Sequence, residues 1–397
     1  MNNGDHPTTS EPATELPPAP PCVLQVLPRM EAGGVERGTV EIARAIVEHG
    51  GIALVASAGG AMVRELERAG AEHFTMPLAS KNPLTIIRNI RRLADLAQTR
   101  NARIIHARSR APAWSAMYAA RRLGRAFVTT YHGAYNDNGP IKRWYNSVMA
   151  RGDRVIAISE FIANRIERKH GVGRDMMRII HRGVDLARFD PATVSAERII
   201  QLSNEWRLPD GAPVIMLPGR LSRWKGQLLL IRALAELGRP DVRCLIVGKG
   251  ATASYRREME KLVERHDLGQ VVHIVDHCND MPAAYMLTDV VVSASTDPEA
   301  FGRVVAEAQA MGRPVVAPAH GAAPEIIGGR DTGRLFKPRD PSSLAEAISS
   351  IITMDGAQRE DLSQRAIRNI RDNFSLEQMC TKTLDVYNEV YYLDMDR

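Results

Sequence analysis

CVLQVLPRMEAGGVERGTVEIARAIVEHGGIALVAS (Cys22–Ser57) holds a strand, a helix and a second strand in succession. CVLQVLP is a short, nearly continuous apolar run, as expected of a strand buried on both faces. Gly33 and Gly34 then open a segment with apolar residues at Val40, Ala43 and Val47, which is helical spacing. IALVAS repeats the strand pattern. A buried strand, a covering helix and another buried strand imply a parallel sheet with helices on its faces.

The alternation continues along the chain. AMVRELERAG, a long helix from Pro83 and another from Pro112 alternate with the strands HFTMPL, ARIIHA and AFVTTYHG. A polar loop and a helix lead to RVIAIS, a further helix and MRIIHRG. DLARFDPATVSAER breaks the rhythm with proline and charge. It then restarts with APVIMLPGR, a helix from Gln227, VRCLIVGKG, SYRREMEKLVERH, VVHIVD, MPAAYMLTD, VVVSAS, a helix from Gly302, PVVAP and terminal helices. The expected class is α/β, with two doubly wound, Rossmann-like domains facing each other across a cleft. A length of 397 residues suits two domains. We expect a disordered Pro-rich tail at 1–21. A first domain should span 22–195, a second 196–375, and a helix over 376–397 should pack back on the first.

Charge is unevenly spread. Residues 22–190 hold 27 Lys and Arg against 15 Asp and Glu, a net of +12; residues 191–397 hold 25 against 28. The first half therefore calls for an anionic partner: nucleic acid, an acidic lipid surface or a phosphorylated acceptor. Cys22, Cys244, Cys278 and Cys380 are scattered without metal-ligand spacing. They read as buried thiols of a cytoplasmic protein. No run approaches the ~18 apolar residues of a membrane span, and the N-terminus lacks a secretory pattern.

In sheets of this kind, ligands bind beyond the carboxyl ends of the strands. Two polar motifs sit at such ends. DPEAFGRVVAEAQAMGRPVVAP follows the strand VVVSAS and places Glu299 and Glu307 eight positions apart. Ionised carboxylates accept several hydrogen bonds, which suits sugar hydroxyls. The helix-initial N–H groups near Phe301–Val304 suit an anion. The spacing alone fits equally well a Glu307 paired with a nearby Arg and an exposed Glu299. In LPGRLSRWKGQ, Arg220 and Lys225 leave a strand end and open a helix, a setting for a diphosphate.

The motifs in order resemble the family 4 retaining glycosyltransferases of GT-B fold over most of the chain after residue 21. They are the Gly33-Gly34 loop, His132 in TTYHG, Ser159-Glu160 in IAISEFI, HRGVD at 181–185, Gly219-Arg220 with Lys225-Gly226, Gly248 in VGKG, the Glu299/Glu307 pair and the segment Gly321–Glu325. The resemblance implies that Gly219, Arg220, Lys225, Gly248, Glu299, Ala300, Phe301, Gly302, Arg303, Val304 and Glu307 bind a nucleotide-diphosphate sugar. Arg220 and Lys225 would hold the diphosphate, Glu299 the sugar hydroxyls and Glu307 the ribose. Gly33, Gly34 and Val35 would face the acceptor, and His132, Arg220, Lys225 and Glu299 would be catalytic. The implied chemistry is same-face substitution with no cofactor and no metal. Asp276 or His277 stands where the family has glycine near the nucleobase, so base identity is open. Ala322-Ala323 likewise departs from the family's glycine pair before Pro-Glu.

The helix over 82–100 carries Arg88, Arg91 and Arg92 off its apolar stripe, a pattern compatible with an anionic membrane. The GGVERGT loop resembles those of lipopolysaccharide-core transferases. These features suggest a glycan or glycolipid acceptor and a peripheral enzyme at the inner face of the cytoplasmic membrane, building a surface glycan. The alternatives are a nucleotide-sugar epimerase on the same fold and a basic nucleic-acid-binding protein. The latter lacks a recognition module and aromatic interleaving, so no nucleic-acid partner is expected. A nicotinamide-dependent dehydrogenase is disfavoured because Ser254 stands where the dinucleotide fingerprint needs Gly or Ala.

Overall fold

The computed structural model describes residues 22–135, 138–328 and 331–395. The tail expected to be disordered, 1–21, lies outside them. Seven strands form the first sheet: β1 (Val23–Val26), β2 (Ala53–Ser57), β3 (Glu72–Thr75), β4 (Ile104–Ala107), β5 (Ala126–Tyr131), β6 (Arg154–Ala157) and β7 (Met177–Ile179). All pairs are parallel, in the order β3-β2-β1-β4-β5-β6-β7. Helices α1 (Gly34–Glu48), α2 (Val63–Arg68), α3 (Pro83–Thr99), α4 (Arg110–Leu123), α5 (Pro140–Asn146) and α6 (Glu160–His170) connect them. The inner strands are mostly apolar because both faces are covered; every residue of β1, β2, β4 and β5 is buried, including the polar Gln25, Ser57, His106, Thr129 and Thr130.

The second half opens with α7 (Ala196–Glu205) and builds a six-stranded parallel sheet. Its strands are β8 (Val214–Pro218), β9 (Arg243–Val247), β10 (Val272–Val275), β11 (Val290–Val292), β12 (Val315–Pro318) and β13 (Arg334–Phe336), in the order β10-β9-β8-β11-β12-β13. Helices α8 (Gln227–Leu237), α9 (Ala253–Arg265), α10 (Met281–Met286), α11 (Arg303–Ala310), α12 (Ala323–Ile327), α13 (Pro341–Ile352), α14 (Gly356–Asn373) and α15 (Leu376–Met395) complete it. Both sheets reverse strand order once, between β1 and β4 and between β8 and β11. These switch points are where loops part and leave a crevice.

Three elements depart from the sequence reading. α7 lies in the stretch read as a boundary, where Pro191 and the charges mask its first turn. β13 is three residues long, too short for a period to register. The helix read as starting at Pro112 begins at Arg110, with Pro112 in its first turn, where a missing N–H costs nothing.

The chain passes between the halves twice at one place. Val184 donates its N–H to Phe374 O (2.8 Å), and Leu376 donates to Val184 O (2.9 Å). Beyond this crossing, α15 lies on the first sheet. Its Met379, Leu384, Val386, Tyr387 and Val390 join the core formed by α1 and β2. The Tyr387 hydroxyl meets His106 Nδ1 on β4 at 2.7 Å, and His106 Nε2 meets Thr130 Oγ1 at 2.7 Å. Burial holds the His106 imidazole well below its ordinary pKa, so it sits there neutral.

Candidate functional site

The two switch points face each other across a cleft of about 760 Å³ lined from both halves. The first half contributes Gly34 and Val35 from the start of α1, His132 from the end of β5, and Arg182. The second contributes Arg220, Trp224 and Lys225 after β8, and Asp297 through Val304 after β11. The sequence-predicted residues gathered here are thus Gly34, Val35, His132, Arg220, Lys225, Glu299, Ala300, Phe301, Gly302, Arg303 and Val304. Gly33, Gly219, Gly248 and Glu307 do not line the cleft.

On the second half's wall, Lys225 Nζ pairs with Glu299 Oε1 at 2.7 Å, and both side chains are mostly buried. The same carboxylate oxygen accepts from the Ser295 hydroxyl. Glu299 is thereby fixed, with its remaining lone pairs free to accept hydroxyls. Arg220 is exposed and forms no ion pair among the described residues. α11 is packed on nearly every side through Val305, Ala306, Ala308, Gln309 and Ala310. Only Arg303, Val304 and Glu307 stay open on one face; Val304 both lines the cleft and packs partly against the core.

Glu307 has two partners. Arg303 Nη2 stands 3.2 Å from Oε1, and the Tyr285 hydroxyl donates to Oε2 at 3.1 Å. Burial and the adjacent carboxylate push the Tyr285 phenol well above its usual range, so it stays a donor. Gly248 acts through packing: a Cβ added there would fall 1.8 Å from Gly219 O. The two glycines set the backbone from which Arg220 departs. Asp276 and His277 line a separate depression along the edge strand β10, where Arg256 pairs with Asp276.

The first half's wall holds a feature the sequence did not disclose. Arg182 is only 9% exposed and Arg108 only 3%. Both guanidiniums crowd Gly38 of α1, where an added Cβ would meet Arg182 Nη1 at 2.1 Å and Arg108 Nη2 at 2.9 Å. Neither forms a carboxylate ion pair among the described residues, and Arg108 Nε is buried without a hydrogen-bond partner. Burial, then the neighbouring Arg108, pull the Arg182 pKa down to about 9. Such cations are costly unless an anion meets them. Arg182 falls in the HRGVD motif, but nothing in the sequence pairs it with Arg108, which follows a different strand.

Arg182 Nη2 donates to His132 Nδ1 at 3.1 Å. A guanidinium has no lone pair to offer, so Nδ1 must accept and the ring proton resides on Nε2. That Nε2 is buried and has no hydrogen-bond partner among the described residues. Burial, Arg182 and Arg108 hold the ring's pKa well below its ordinary value. His132 is therefore a neutral hydrogen-bond donor at neutral pH.

Two other motif residues act between the halves. Glu325 accepts from the N–H groups of Glu160 (2.8 Å) and Phe161 (2.7 Å), at the start of α6. His181 Nε2 lies 3.2 Å from the same carboxylate. The Ser159 hydroxyl donates to Ala300 O at 2.7 Å. A carboxylate at a helix N-terminus is favourable; here it ties the second half to the first beside the cleft.

Comparison with known proteins bears on both walls. The model described as Glycosyltransferase Family 4 matches residues 32–188, and the one described as Glycosyl transferases group 1 matches 199–369. A D-inositol 3-phosphate glycosyltransferase of Salinispora tropica is 31% identical over 256 residues, covering 61% of this chain and 52% of that protein. The chain thus spans about half the length of the curated relatives it matches. The solved glycosyltransferase from Rickettsia africae is 34% identical, with a TM-score of 0.87, over 94% of this chain and 98% of that one. Anabaena HepE, solved with UDP and glucose, shares the fold at 23% identity, with a TM-score of 0.78, over 93% of this chain and 99% of that one. With one family description matching each wall of the cleft and a relative matching nearly end to end, the chain belongs to the family 4 (group 1) glycosyltransferases of GT-B fold.

Proposed function

We propose that this protein transfers a sugar from a nucleotide-diphosphate sugar to an acceptor hydroxyl with retention of configuration. The observation that carries the reading is the fixed Lys225–Glu299 pair, facing His132 and the start of α1 across one cleft. In this reading Arg220 and Lys225, with the first N–H groups of α11, bind the diphosphate and stabilise the charge that develops as it leaves. Glu299 orients the sugar through its hydroxyls. His132 donates Nε2–H toward the sugar from the opposite wall. The acceptor oxygen enters on the leaving-group face, forms the new C–O bond as the old one breaks, and passes its proton to the departing phosphate oxygen. No metal or cofactor has a part in this sequence.

Glu307 is assigned to the ribose, with Arg303 and Tyr285 holding its carboxylate. The test is a thermal-shift panel of UDP, GDP, ADP and CMP on wild type and Glu307→Ala. One diphosphate at 100 times its dissociation constant should add about 2.7 kcal/mol. That is a rise of roughly 2–4 °C per kcal/mol for domains of this size. The shift should shrink in the variant. No shift with any nucleotide, including sugar-loaded forms, rejects the reading.

The acceptor side is read as a glycan or glycolipid of a bacterial surface polymer, such as lipopolysaccharide, reached from the cytoplasmic membrane face. Leu84 and Ile87 on α3, and Ile141 and Trp144 on α5, are exposed large apolar side chains. They stand among Arg88, Arg91 and Arg143, the composition of an interfacial surface. No helix among the described residues is long and apolar enough to cross a membrane. Wild type should co-sediment with anionic vesicles at low salt and be released as salt rises. Ile141→Ser/Trp144→Ser should bind several-fold less. Vesicle binding equal to that of neutral vesicles removes the membrane part.

A further inference from the structure

The opposite end of the first sheet carries a second cationic cavity, of about 610 Å³. It is lined by Arg103, Arg121, Arg125 and Arg151, with Gly124, Phe127 and Asp153. Arg103 and Arg125 directly precede β4 and β5, and Asp153 directly precedes β6. The cavity therefore lies at the amino ends of the strands, with the length of the strands between it and the cleft.

None of the four arginines forms an ion pair or a side-chain hydrogen bond with another described residue. Arg125 Nε is buried without a hydrogen-bond partner among the described residues. Arg151 instead lies over the Trp114 ring, 5.1 Å from its centroid. Among the described residues Asp153 is the one carboxylate on the lining, and it accepts from the Phe127 N–H at 2.8 Å. The carboxyl end of α4 offers a partial negative charge near Arg121. Neither balances four guanidiniums. Elsewhere on this protein, arginines readily find carboxylates: Arg154 and Arg178 share Glu389, and Arg174 takes Glu160 and Glu167.

We propose that this cavity is a binding site for a phosphate or diphosphate group, separate from the catalytic cleft. Planar guanidinium forks from several directions match the tetrahedral oxygens of a phosphate. A cavity of this size admits a phosphorylated headgroup or a free diphosphate. Trp114 stacks on Trp144 at 4.5 Å and on Tyr118 at 6.3 Å, so an aromatic strip runs from the cavity edge to the exposed surface.

The test is calorimetric titration of the full chain with inorganic pyrophosphate, beside sedimentation with vesicles of anionic phospholipid. Three variants are compared with wild type: Arg103→Gln/Arg125→Gln in the cavity, Lys225→Gln in the cleft, and the charge-matched control Arg368→Gln/Arg371→Gln on the exposed face of α14. A free diphosphate as ligand gives two classes of pyrophosphate site. The cavity pair loses one class by at least about tenfold, and Lys225→Gln keeps it. A lipid headgroup as ligand gives vesicle binding that the cavity pair loses and the control keeps. A cavity pair that binds both probes as wild type does overturns the site. Equal losses in the cavity pair and the α14 control reduce the effect to net charge and also overturn it. Unchanged melting of the cavity pair, and its retained pyrophosphate class at the cleft, show that it is folded.

Discussion

Lys225→Ala should lower kcat/KM about 10²–10³-fold, the range seen when a preorganised stabiliser of leaving-group charge is removed. Two losses combine. The diphosphate loses a cation, and Glu299 loses the ammonium 2.7 Å away that fixes its carboxylate. Glu299→Gln should lose nearly as much, since an amide keeps the shape but not the charge. The double variant should be little worse than either single one, because partners in one contact do not add. Steady-state kinetics on the four proteins with the donor found by thermal shift would measure this. Fully additive losses would mean that Lys225 and Glu299 work independently, against the arrangement described.

Arg182→Gln should lower kcat by about 10²-fold, the low end of what misplacing one preorganised hydrogen-bond donor costs. The distinguishing readout is the pH profile. In the wild type, burial and the two arginines depress the His132 pKa, so the ring stays neutral as pH falls below its ordinary value near 6.5. Taking away one cation raises that pKa, and the ring then gains a proton at higher pH. The imidazolium would set a cation against the positive charge that develops on the sugar as the diphosphate leaves, so activity of the variant should fall on the acid side at a higher pH than in wild type. The alkaline side should not move. Arg182→Lys should restore part of the rate, because an ammonium also donates to Nδ1. A uniform loss at every pH would assign Arg182 to ligand binding alone.

The fold was largely legible because parallel strands buried on both faces leave unbroken apolar runs. VLQV and VVV need no alternation to be recognised. β13 and α7 escaped for the opposite reason: one is too short and the other begins beside Pro191. The second half's wall was legible as well, since Arg220, Lys225 and Glu299 lie in short motifs at strand ends. On the first half's wall, Gly34, Val35 and His132 were legible and the arginine pair was not. Arg108 and Arg182 are 74 positions apart and meet only because β4 and the segment after β7 end on one side of a sheet. Glu325 was legible only as the end of a family motif; its contact with the start of α6 spans 165 positions. Gly219 and Gly248 carry the family pattern through backbone packing, which spacing cannot separate from ligand contact.

The placement of α15 bears on how the chain matures on the ribosome. Met379, Leu384, Val386, Tyr387 and Val390 are the last part of the first sheet's core to be synthesised. Until they emerge, His106 lacks Tyr387 and the apolar face beside α1 stays open. The second sheet, whose last strand ends at Phe336, is already outside the exit tunnel by then. Folding in order of synthesis is the usual route for multidomain chains. Here the first domain to appear is the last to close, so its nascent surface needs shielding through nearly the whole of translation.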